Sequence, residues 1–149
     1  MSELWIVVAE SSRARIFAAD APAGQLREIE TLAHPESRLA ERELSSDLPG
    51  VTFDSGGPGR HVKEQQTGPK AQTVVRFAEQ VAARIESGRT GGEFRRLMIV
   101  AAPEFLGLLR EKLSAPTRAL VDTEIAKNLA QMSADEIRDH LPERLYQTL

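Results

Sequence analysis

The chain opens on Leu4-Trp5-Ile6-Val7-Val8-Ala9, continuously apolar and β-branched at its centre. That pattern predicts a strand buried on both faces. Glu10-Ser11-Ser12 supplies a turn, and residues 13–18 read as a second strand, joined to the first as a hairpin. Asp20-Ala21-Pro22-Ala23-Gly24 makes a second turn, with Pro and Gly as its punctuation. From Leu26 to Leu32, Glu28 and Glu30 fall on one face and Ile29 and Thr31 on the other, a third and more exposed meander strand.

The periodicity disappears from His34 to Gly68, a stretch holding Pro35, Pro49, Pro58 and five glycines. A long polar loop is expected at about 34–69, and loops of that length are usually functional or disordered. Residues 37–44 are rich in helix formers and could hold one short helix. Val74, Phe77, Ala78, Val81, Ala82 and Ile85 then recur at helical spacing, which predicts a helix over 69–86 ended by Ser87-Gly88. Residues 96–101 form another doubly buried strand. Pro103 opens a helix that buries Phe105, Leu106, Leu109 and Leu113, and Pro116 is expected to stop it. A last strand falls within 120–129. Ser133-Ala134-Asp135-Glu136 has capping-box spacing and predicts a final helix to about Leu145. The order β-β-β, loop, α, β, α, β, α implies an α/β fold: a mixed five-stranded sheet flanked by helices. An antiparallel three-strand meander would be joined there by two parallel strands reached through helical crossovers.

At 149 residues the chain suits a single domain, 1–149, with a core that needs no staples. It has no cysteine, which removes disulfides and thiolate metal sites. The formal charge of −3 argues against a strongly basic nucleic-acid binder, although a local basic patch remains compatible with it. No secretory signal pattern and no membrane-length apolar run is visible, so a cytoplasmic location without membrane partners is expected.

Several segments together resemble a known family. They include Trp5-Ile6-Val7-Val8-Ala9, Ser12-Arg13-Ala14-Arg15-Ile16-Phe17, His34-Pro35-Glu36-Ser37-Arg38, Glu41-Arg42-Glu43-Leu44 and Ser46-Asp47-Leu48-Pro49-Gly50. Phe53-Asp54-Ser55, Gly59-Arg60-His61, Arg76-Phe77-Ala78 and the run from Ala102 to Leu109 complete the set. In order, and over nearly the whole chain, they resemble the bacterial host attachment protein family. The resemblance implies a fold like the central domain of archaeal and eukaryotic class-one peptide release factors and of Pelota. Release factors carry a Gly-Gly-Gln loop between the early strands and a long helix. Here Gly56-Gly57 sits in the corresponding region, and Arg76-Phe77 resembles a release-factor Arg-Phe pair. Pro58 stands where the glutamine would be, and proline has neither a side-chain amide nor a backbone N–H.

The string from Ser55 to His61 is the most distinctive local feature. Gly56, Gly57 and Gly59 let backbone approach a ligand closely, while Arg60, His61, Lys63 and Lys70 add positive charge. A solvated loop is the competing explanation. No Walker A spacing and no Gly-x-Ser-x-Gly occurs. His61 with Glu64 could serve acid–base or metal chemistry, but no third partner is visible. Glu10, Asp122 and Glu124 could converge only in space. His34 and His140 read as ordinary polar residues, Trp5 as core, and Arg13 and Arg15 as surface residues. The leading reading is a non-enzymatic binding module acting at the ribosome or on structured RNA, in a translation-related role. Its ligand-binding residues are Gly56, Gly57, Gly59, Arg60, His61 and Lys63, with no cofactor, metal or catalytic residue assigned. The alternatives are a hydrolase using loop His and Glu groups, and a factor indirectly required for attachment to host cells.

Overall fold

The computed structural model describes residues 1–34 and 69–148. Three strands come first: β1 (Ser2–Glu10), β2 (Arg13–Ala19) and β3 (Arg27–Ala33). Helix α1 (Pro69–Thr90), β4 (Phe94–Ala101), α2 (Pro103–Lys112), the single turn α3 (Ala115–Arg118), β5 (Val121–Ile125) and α4 (Ala134–Asp139) follow. The described strands form one sheet in the order β3-β2-β1-β4-β5. β1 pairs antiparallel with β2 and parallel with β4, β2 pairs antiparallel with β3, and β4 pairs parallel with β5. This is the mixed five-stranded α/β sheet expected from the pattern.

β1 lies at the centre, which explains its unbroken apolar run. Trp5, Val7 and Ala9 face α1 and α2, where they meet Phe77, Val81, Ile85, Phe105 and Leu109. Leu4, Ile6 and Val8 face the opposite layer, where Leu129, Ile137, Leu141, Leu145 and Tyr146 close over them. A strand covered on both sides has no polar face to alternate with. β3, at one edge, keeps the more exposed, alternating character.

Three boundaries differ from expectation. Helix α1 does not end at Ser87-Gly88 but runs to Thr90. Its real stop is Gly92, at φ 69°, with the Glu93 N–H donating to Gly88 O and the Gly92 N–H to Arg89 O. Those two bonds are a Schellman closure, which requires the left-handed backbone that glycine accepts most readily. Pro116 does not end α2, which has already stopped at Lys112. Instead it sits in the first turn of α3, where a missing N–H costs nothing and Ser114 caps the turn. The last helix keeps its capping box, Ser133 with Glu136, but ends at Asp139 rather than near Leu145. Pro142 disfavours helical backbone at the residue before it. Past it the chain is irregular yet fastened, Arg138 donating to the carbonyls of Pro142 and Glu143 and the Leu145 N–H to Pro22 O.

Candidate functional site

Gly56, Gly57, Gly59, Arg60, His61 and Lys63 lie outside the described residues, as do Glu64, the side chain of Lys70 and the short helix expected at 37–44. The described residues do define the place the segment leaves from. His34 follows β3, and its N–H donates to Ser12 O in the β1–β2 turn, at the carboxyl end of β1. β1 leads into β2 on one side, and β4 leads through α2 to β5 on the other. Neighbouring strands whose continuations diverge open a crevice beyond their carboxyl ends, the usual ligand position in open α/β sheets.

His34 is not an ordinary polar residue. It is 2% exposed, its ring stacks on Phe77 at 5.2 Å and 11°, and Phe77 leans on Phe105 at 5.9 Å. Its Nε2 has no hydrogen-bond partner among the described residues. The sequence signal was its position directly after β3, but its burial depends on α1, a distant element.

On the other face of the same sheet end, Glu10 is buried with its carboxylate accepting from Ser12 Oγ and from Gln131 Nε2. Burial pushes its pKa up, but hydrogen bonds from Ser12, Gln131 and Asn128 outweigh that and hold it below the usual carboxylate value. Arg15 fastens the same loop. Its guanidinium donates to the carbonyls of Ala130 and Met132, pairs with Glu28 through two nitrogens and lies over the Phe17 ring. Arg15 is therefore a half-buried clamp, not the surface residue expected, whereas Arg13 is exposed. Trp5 is core, as read.

Glu10, Asp122 and Glu124 do not converge. Asp122 pairs with Arg96 at 3.3 Å, Glu124 pairs with Arg110, and Glu10 stays with Ser12 at the strand end. Among the described residues no group of His, Asp and Glu is placed to hold a metal ion. None of the described helices is long and apolar enough to cross a membrane.

Most arginines of the described body are engaged. Arg27 pairs with Asp20, Arg84 with Glu30 and Glu93, Arg89 with Glu86, and Arg96 with Glu3 and Asp122. A concave feature runs along β5. It is an open groove of about 400 Å³ lined by Arg110, Arg118, Val121, Asp122, Thr123 and Glu124.

Residues 5–141 match the model of a family described as "Protein required for attachment to host cells". An uncharacterised protein of Rickettsia prowazekii strain Madrid E is 27% identical over 93 residues, which is 62% of this chain and 57% of that protein. The chain thus spans little more than half the length of that relative. Among solved structures, the archaeal translation termination factor aRF1 is similar over 89% of this chain and 34% of its own, at 15% identity and a TM-score of 0.42.

Proposed function

The chain belongs to the host attachment family, and we propose that it is a non-enzymatic binding module that contacts the phosphates of structured RNA or the ribosome. The contact element is the segment containing Gly56, Gly57, Gly59, Arg60, His61 and Lys63. One observation carries this reading. The folded body spends most of its arginines on its own carboxylates, while residues 56–70 hold Arg60, Lys63 and Lys70 against Glu64 alone. A net positive charge in a glycine-flanked stretch of sequence suits sequence-independent phosphate contact. The module works in the cytoplasm, and its effect on attachment is indirect.

Co-sedimentation with ribosomes and titration of structured RNA across a salt series test the proposal. Log affinity should fall by roughly 0.7 to 0.9 per neutralised phosphate for each unit of log salt. Arg60→Ala with Lys63→Ala should weaken binding and flatten that slope while leaving the thermal midpoint unchanged. Equal binding by parent and double variant, or no binding by the parent at low salt, removes the proposal.

A further inference from the structure

The groove beside β5 has the form of a site for one more strand. β5 is an edge of the described sheet, with β4 on one side only, so its outward backbone N–H and C=O groups have no ladder partner there. Four consecutive β5 residues, Val121 to Glu124, line the groove, and Arg110 of α2 and Arg118 of α3 line it with them. An occupant that follows four successive residues of an edge strand is itself extended.

The charges along the groove select its chemistry. Asp122 is already met by Arg96 and Glu124 by Arg110. Arg118 is exposed, and its guanidinium has no ion-pair or hydrogen-bond partner among the described residues. The uncompensated charge of the groove is therefore positive. One turn before Arg110, on the same side of α2, Gly107 leaves the helix surface bare, and a Cβ there would meet nothing within 4 Å. We infer that the β5 edge, with Arg118 at its start, receives an extended segment of another protein that places a carboxylate side chain on Arg118. The strand is only five residues long and has a bulge opposite Leu97 and Met98, so the added strand is short and the complex weak.

A fluorescent peptide alternating threonine and valine, with glutamate at its centre, tests this by anisotropy on the intact chain. It should bind, and the same peptide with central lysine should bind about tenfold more weakly, the size of one charge-assisted hydrogen bond. Arg118→Glu should reverse that preference, and circular dichroism of the variant reports that it folds. N-methylation of the alternate peptide amides that face β5 should abolish binding, because strand addition needs those donors. The inference is overturned by equal binding of the two peptides, by undiminished binding of the N-methylated peptide, or by no binding at all. Arg118-dependent self-association of the chain without peptide would overturn it as well, in favour of a second copy.

Discussion

Gly88 of α1 rests directly on the indole of Trp5: a Cβ there would lie 2.6 Å from Cη2 and 2.7 Å from Cζ3, with the Phe94 ring at 3.1 Å. Trp5 is itself 1% exposed and its ring lies tilted by 31° against that of Phe94, centroids 4.7 Å apart, so the indole has little room to retreat. Gly88→Ala should destabilise the fold by about 1–3 kcal/mol, the usual cost of overpacking, despite alanine's better helix propensity. Trp5 is the sole tryptophan, so urea unfolding followed by its fluorescence reads this site directly. A variant as stable as the parent would show that α1 can lift off the sheet at no cost.

Gly107→Ala should have the opposite sign. The position is inside α2, its Cβ would meet nothing, and its backbone is helical. Alanine there should add up to about 1 kcal/mol, the propensity difference between the two residues in a helix. The same urea titration compares the two glycine variants, and a loss of stability at 107 would contradict the open space beside it.

Glu86 fastens α3 to α1. Its carboxylate accepts from the Ser114 N–H at 2.8 Å, Ser114 Oγ at 3.0 Å and Thr117 Oγ1 at 2.7 Å, and it pairs with Arg89. Burial raises its pKa, but these hydrogen bonds outweigh burial and hold it below the usual carboxylate value. A carboxylate with a lowered folded-state pKa contributes stability that is complete above its unfolded value and lost as pH falls through the folded one. Glu86→Gln should therefore be less stable than the parent at neutral pH, with the difference shrinking below about pH 4.5. Parallel stability curves for parent and variant down to acid pH would show that the charge of Glu86 contributes nothing.

Arg15→Met should release the loop at 128–132 and leave the sheet standing. The substitution keeps much of the apolar stem but removes the donors to Ala130 O and Met132 O and the pair with Glu28. The expected loss is about 1–3 kcal/mol, that of part-buried carbonyls deprived of a charged donor. Hydrogen exchange should quicken at residues 128–132 and stay slow in β1. Uniform quickening throughout the sheet would mean that the loop and sheet open together.

Two glycines close together in α1 and its exit show how far the sequence could be read. Gly88 and Gly92 are both plausible helix ends by composition, yet only Gly92 has the left-handed φ of a stop. Gly88 is required by Trp5, which lies 83 positions earlier and touches it only after α1 docks. His34 and Arg15 depart from what their local sequence implies for the same reason. The partners that bury the one and engage the other are Phe77 on α1 and the carbonyls of Ala130 and Met132, all remote in the chain. The candidate contact residues from Gly56 to Lys63 rest on sequence alone.

The run from Leu4 to Ala9, the helical stripe of α1 and the Ser133–Glu136 capping box determined the element order and which strands lie inside. Each of those signals acts within a few residues, where backbone preference and the period of apolar side chains decide the outcome. Tertiary structure alone decided which polar side chains became internal clamps, which glycine is a contact rather than a stop, and which edge of the sheet lies beside an arginine with no partner among the described residues. Those outcomes depend on pairs such as Arg15 with Ala130, 115 residues apart, and no local preference encodes a contact made only when distant segments pack.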